Sequence, residues 1–267
     1  MDILVFIKQV PDDSVEVNLD ETTGKPAIDG ITPVVNAFDT YALEMAARFK
    51  ETNGGSVTVA CIGPEQVKDA LKSCLAVGAD KAYQITDSAF DGSDTLSTSY
   101  LLSCIVPKIE EMNGSKFDLI FCGKETTDSS TGQVGPQLAE QMGLPLVTNV
   151  IAVEPLDAGV SIKQETEEGY HIIEASTPCV VTITRPNYDP RYPTMKSKLA
   201  ARKMPIPVLT TSELLIDTSK VGAANSPTKV VRTFSPPKKE AGVKIQEKTA
   251  EEAVAKAMEL MTEAKVF

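Results

Sequence analysis

Over residues 1–150, short apolar runs alternate with stretches of helical spacing, and this alternation narrows the possible folds more than any other feature. Residues 3–7, 57–62, 82–85 and 118–122 have the length and apolar content of strands buried on both faces. Helical patterns follow them at 37–50, 65–76, 94–111 and 132–142. The first carries Tyr41, Leu43, Ala46, Ala47 and Phe49 at helical spacing. Pro64 stands where a helix can begin, Gly78 where one can end in a left-handed cap, and Gly143-Leu144-Pro145 closes the last. Repeated strand–helix–strand units predict an α/β fold, a mostly parallel, doubly wound sheet with helices on both faces.

The pattern changes after Pro145. Residues 150–154, 160–165 and 170–175 read as an antiparallel meander, turning at Asp157-Ala158-Gly159 and Glu167-Glu168-Gly169. Residues 178–184 read as one more buried strand. Beyond Arg185 the chain is rich in proline and basic residues. From 217 to 244 it is polar and structureless in pattern, with Ser226-Pro227, Ser235-Pro236-Pro237 and Lys238-Lys239, and such a segment cannot bury itself. A helical pattern at 251–265 closes the chain, with Ala253, Val254, Ala257, Leu260 and Met261 on one side. The expected organisation is an α/β domain over 1–216, with a small antiparallel addition at 150–184, and an extended C-terminal arm over 217–267. Two readings of the arm fit: it reaches another subunit, or its helix folds back on its own domain.

Composition sets outer bounds. The chain has 267 residues, of which 42% are hydrophobic and 24% charged, as in an ordinary globular protein with a sizeable core. A net charge of -11 argues against nucleic acid, which needs a concentrated cationic surface. No apolar stretch approaches the roughly 18–20 residues of a membrane span. The opening residues lack a basic region and a cleavage site and read as a first strand, so a cytoplasmic location is expected. Cys61, Cys74, Cys104, Cys122 and Cys179 are widely spaced, mostly within apolar runs, and read as buried structural thiols. The single histidine, His171, has no second ligand nearby in sequence.

In an open α/β sheet, ligands bind beyond the carboxyl ends of the strands where strand order reverses. Three loops therefore matter: Lys8 to Asp12, Val35 to Asp39, and the segment from Gly123 to Pro136. The last is rich in hydroxyls and glycine, which lets a backbone approach phosphates closely, and the helix that follows offers unpaired N–H groups. It lacks the spacing of a Walker loop or a Rossmann turn, and taken alone it also fits a plain helix-capping loop. No arrangement of residues supports nucleophilic or acid–base catalysis, so any redox chemistry would belong to a bound cofactor.

Several motifs resemble one family. The stretches from Ile3 to Asp12, Asn36 to Glu44 and Leu75 to Ala82 are similar to segments of electron-transfer flavoprotein beta subunits. So are Gly123 to Gly135, and Arg185-Pro186-Asn187-Tyr188-Asp189-Pro190-Arg191-Tyr192-Pro193-Thr194 with Ala201 to Ile206. Together they cover nearly the whole chain in the expected order.

The resemblance implies more than the spacing does. It implies pairing with an alpha subunit whose mobile domain holds FAD, a nucleotide site in this chain, and a C-terminal arm, 217–267, that embraces the partner. The site would hold AMP in simple carriers. In bifurcating members it would hold a second FAD, reduced by NADH, which splits electrons between ferredoxin or flavodoxin and an acyl-CoA dehydrogenase-type partner. The contacts implied are Phe6; Asn36, Ala37, Phe38 and Asp39; Ile62; and the run Gly123, Lys124, Glu125, Thr126, Thr127, Asp128, Ser129, Ser130, Thr131, Gly132, Gln133 and Val134. Of these, Asp128, Thr131, Gly132 and Val134 would lie closest to phosphates and ribose.

The family often has a more acidic filling after Asp128. Here it is Ser129-Ser130-Thr131-Gly132, whose hydroxyls and glycine suit a pyrophosphate, so FAD and the bifurcating branch are expected. The region 185–206 aligns with the family's partner-recognition loop. Met195 would be its apolar anchor, with Lys196, Lys198, Arg202 and Lys203 steering acidic partners. A solvated basic face with Met195 in the core is the alternative. A nucleotide-binding stress or signalling module sharing the α/β core is the rival from another class.

Overall fold

The structure, a computed structural model, describes residues 1–20, 23, 24, 26–237 and 242–266. It divides into two units, Met1–Asn18 with Pro26–Val231 and Leu19–Lys25 with Arg232–Phe267.

In the larger unit the chain runs through β1 (Asp2–Ile7), β2 (Gln9–Pro11), β3 (Pro33–Val35), α1 (Ala37–Asn53), β4 (Ser56–Ile62), α2 (Val67–Ala76), β5 (Lys81–Ile85), α3 (Thr95–Asn113), β6 (Leu119–Gly123) and α4 (Val134–Met142). It continues through β7 (Leu146–Leu156), β8 (Gly159–Thr166), β9 (Gly169–Ala175), β10 (Cys179–Ile183), α5 (Met195–Lys203) and β11 (Val208–Leu209). Nine strands form one sheet in the order β11-β5-β4-β1-β6-β10-β7-β8-β9. Pairing is parallel from β11 to β7 and antiparallel through β8 and β9. β2 and β3 form a separate antiparallel pair.

Strand alternation divides the core into two layers. On one face Ile3, Val5 and Ile7 of β1 join Val57 and Val59 of β4 and Phe121 of β6 beneath α1 and α2. On the other, Leu4 and Phe6 join Ala60, Ile85, Ile120 and Val180 beneath α3 and α4. Ile3, Leu4 and Val5 are all fully buried; each such side chain contributes about 1.5–3 kcal/mol on transfer from water. This is the doubly wound α/β sheet expected from the sequence, with the predicted antiparallel addition.

Five features differ from the sequence reading. The β2–β3 pair, α5 and β11 carried no recognised pattern. β7 begins four residues early: Leu146 and Val147 pair parallel to β10, and Ala152 to Leu156 then pair antiparallel to β8. The bend falls at Asn149, which adopts a left-handed backbone (φ 52°). Part of the segment read as structureless is also packed. Val221 is buried on the α3 layer. The Ser226 hydroxyl accepts the Asp94 N–H at 2.8 Å and donates to the Gly222 carbonyl at 3.0 Å. Asp94 in turn caps α3 through the Ser97 N–H and accepts the Thr228 N–H.

In the smaller unit α6 (Ala250–Glu263) matches the predicted helix within two residues and is capped by Thr249, whose side chain accepts the Glu252 N–H. Val254, Met258 and Met261 are exposed on it. The Lys238-Lys239 pair noted in the sequence lies outside the described residues.

Candidate nucleotide site at the carboxyl ends of the central strands

Strand order reverses at β1: α1 carries the chain to β4 on one side, and α3 brings it back to β6 on the other. The carboxyl ends of β1 and β6 therefore flank the crevice where α/β sheets bind ligands. The loop 124–133 leaves β6 there, and α1 starts beside it.

Two side chains at the start of α1 tie these loops together. The Asp39 carboxylate is buried and accepts the Lys8 N–H at 2.7 Å and the Gly123 N–H at 3.1 Å, joining the ends of β1 and β6. Burial pushes its carboxyl up to about 7, against the pull of those N–H groups and of Lys8. The Asn36 amide is fully buried; it donates to the Glu125 carbonyl at 2.9 Å and accepts the Thr127 N–H at 3.1 Å. Gly123 lacks a Cβ for a reason: one built there would lie 2.3 Å from Asp39 Oδ1.

The loop then folds on itself. The Thr126 carbonyl accepts the Ser130 N–H at 2.8 Å, and the Thr126 and Ser129 hydroxyls bond at 2.8 Å. Ser130 and Gly132 take left-handed backbones (φ 49° and 62°), an easy conformation only for the glycine. α4 begins at Val134 with no side chain capping it, so no side chain satisfies its first N–H groups. Gly135 lets the helix approach the sheet, since a Cβ there would sit 2.4 Å from Thr182 Cγ2. Thr95 Oγ1 and Gln133 Oε1 lie 3.2 Å apart, linking the starts of α3 and α4.

The structure thus gathers most of the sequence-expected residues at one crevice, but in different roles. Lys124, Asp128, Ser129, Ser130, Thr131 and Gln133 are exposed on the loop; Glu125, Thr126, Thr127, Gly132 and Val134 are partly covered. Ala37 is exposed, and Phe38 and Ile62 are half-buried at the ends of neighbouring elements. Phe6, Asn36 and Asp39 are buried, so the last two shape the loop from beneath.

The sequence reading missed Lys8, although it flagged its loop. Lys8 Nζ lies 2.6 Å from Asp128 Oδ2. Burial opposes the Asp128 charge, but Lys8 and the Thr126 and Ser129 hydroxyls outweigh it and hold the carboxyl below its usual value. The signal was available: Lys8 is the first charged residue beyond β1, at the switch point.

Hydroxyls, an uncapped helix start, close-approach glycines and a cation beside the one loop-tip carboxylate fit the phosphates of a nucleotide. A depression of about 410 Å³ lies at the other end of the sheet, lined by Pro107, Phe117, Ile120, Met142, Leu144 and Pro178. It sits at the amino ends of β6 and β10, where parallel sheets do not place ligands, and is not the site. The cysteines take no part: Cys61, Cys74, Cys122 and Cys179 are buried and unpaired, and burial pushes the Cys61 thiol up to about 12 and Cys179 up to about 11.

The basic cluster lies elsewhere. α5 packs on α2 through Ala201, leaving Met195 74% and Leu199 55% exposed, beside exposed Lys196, Lys198, Arg202 and Lys203. Tyr192, 93% exposed, was not singled out in the sequence. Met195 is therefore not in the core.

Comparison with known proteins identifies the family. The family profile described as electron transfer flavoprotein domain matches residues 29–214. The chain is 42% identical over 243 residues to an electron transfer flavoprotein subunit beta of Thermoanaerobacterium thermosaccharolyticum, covering 91% of each. It is 36% identical over 271 residues to the corresponding subunit of Megasphaera elsdenii, covering 100% of each. It is 37% identical over 253 residues to the caffeyl-CoA reductase-Etf complex subunit CarD of Acetobacterium woodii, covering 94% of each. No helix among the described residues is long and apolar enough to cross a membrane. These matches set aside the stress- or signalling-module reading. The chain belongs to the electron transfer flavoprotein family, among its beta-type subunits.

Proposed function

We propose that this chain binds FAD at the β1–β6 crevice and, with an alpha subunit, takes electrons from NADH and divides them between ferredoxin or flavodoxin and an acyl-CoA dehydrogenase-type enzyme. The observation that carries the reading is the loop 123–134. It presents hydroxyls and the bare start of α4 to the crevice, and its single tip carboxylate, Asp128, is neutralised by Lys8. An acidic loop would repel a second phosphate, whereas this one can accept a dinucleotide. Similarity to a caffeyl-CoA reductase-Etf complex subunit supports the bifurcating branch.

A bound flavin would supply the redox chemistry, exchanging electrons in pairs or singly. The chain's residues do the rest. Asn36 and Asp39 hold the loop's backbone in place, the N–H groups of Val134 and Gly135 and the loop hydroxyls would receive phosphate oxygens, and Lys8 would share its charge between Asp128 and the ligand. Residues 232–267, with α6, would lie on the alpha subunit, and the exposed Met195 on α5 would enter an apolar pocket of the dehydrogenase, steered by the surrounding lysines and arginines.

Titrating the alpha–beta complex, stripped of exchangeable nucleotide, with FAD and with AMP tests the site. Tighter uptake of FAD, with quenched flavin fluorescence, is expected. Uptake of AMP alone would make the protein a simple carrier.

A further inference from the structure

α1 serves two places. Its start ties down the nucleotide loop; its later turns grip the segment that leads into α5. Glu44, 2% exposed, accepts Arg191 Nε at 2.8 Å, the Arg191 backbone N–H at 3.1 Å and Arg48 Nε at 2.6 Å. The rest of the Arg191 guanidinium reaches Glu51, with Nη2 2.9 Å from Oε2 and Nη1 bonded to Oε1. The Arg48 guanidinium also lies 4.1 Å from the centre of the Tyr188 ring. Residues 188–191 are thus fixed four residues before α5 begins. The other end is held as well: Lys72 of α2 donates to the carbonyls of Arg202 at 3.2 Å and Met204, which α5 leaves unpaired.

α5 needs this support. It is nine residues long, carries four cations, and buries only Ala201. A helix so short is marginal unless its ends are tied, and a docking surface that must order on contact loses affinity to that ordering. Burial opposes the Glu44 charge, yet Arg191 and Arg48 hold its carboxyl below the usual range, as expected for a permanent pair.

We infer that Arg191 is the positioning residue for the docking face of α5, with Glu44 as its buried anchor. This rests on the docking reading given above. The test uses the alpha–beta complex and its acyl-CoA dehydrogenase, with electron transfer measured against dehydrogenase concentration and amide hydrogen exchange followed over 195–203. In Arg191→Ala the apparent KM for the dehydrogenase should rise about tenfold, with kcat and bound nucleotide unchanged. Protection of the α5 amides should fall by a similar factor. Arg191→Lys should restore part of both, since it keeps the charge but not the fork. Glu51→Gln leaves Glu44 paired and should give a smaller shift in the same direction, which keeps the test open if Arg191→Ala fails to fold.

If Met195→Ala raises KM while Arg191→Ala and Glu51→Gln change neither KM nor protection, docking stands and the positioning role is wrong. If neither Met195→Ala nor Arg191→Ala changes KM, the docking reading falls and this inference with it. A raised KM with α5 still protected would make Arg191 a direct contact and overturn the positioning role.

Discussion

Asp128 alone would repel a phosphate; paired with Lys8 it brings a cation to the crevice instead. Lys8→Ala should therefore weaken nucleotide binding by about tenfold or more, since it removes a charge-assisted contact and frees a carboxylate. Adding Asp128→Asn should recover part of the loss, and equilibrium titration of both variants checks the coupling. Asp39 makes a different prediction. Its folded-state value, about 7, lies above the ordinary 3.8. Its contribution to stability is therefore fully present at low pH and is lost as pH rises through about 7. Asp39→Asn removes that titration and leaves one of two backbone N–H groups without an acceptor. Denaturant unfolding should show the variant's deficit relative to the parent growing as pH falls from about 8 to about 5. A deficit that is the same at both pH values would contradict the buried-carboxyl account.

Among the elements, α4 is placed by the absence of a side chain. Gly135→Ala would drive a methyl into Thr182 and should cost about 1–3 kcal/mol in unfolding free energy. A smaller loss would mean that α4 can shift to make room. The central strands β1, β4, β5, β6 and β10 were legible because they are buried on both faces and read as continuous apolar runs. α5 was hidden because a surface helix rich in lysine has no apolar stripe. Its one readable sign was Thr194 with Ser197, which cap each other reciprocally at the helix start. β2 and β3 are three residues each and bounded by prolines, too short for alternation to register. The start of β7 was lost because its pairing changes partner at Asn149.

For the whole molecule, the three loops flagged in the sequence converge on one crevice, because strand order brings the carboxyl ends of β1 and β6 together. The sequence could not show that Asn36 and Asp39 turn inward or that Lys8 meets Asp128, since those depend on contacts between residues 31 to 120 positions apart. Nor could it show that 217–231 packs with the larger unit. That changes the truncation to make. Deleting 232–267 should leave the α/β unit's stability intact and abolish co-purification with the alpha subunit. Deleting from 217 should also destabilise the unit, because Val221 and Ser226 are lost from the start of α3. Unfolding curves and pull-down of the two truncations separate the effects.

The most direct test of the central claim is to co-express the chain with its alpha subunit, release the bound nucleotides and count them by chromatography. Two FAD per heterodimer is the predicted result; one FAD and one AMP would contradict a flavin in this site.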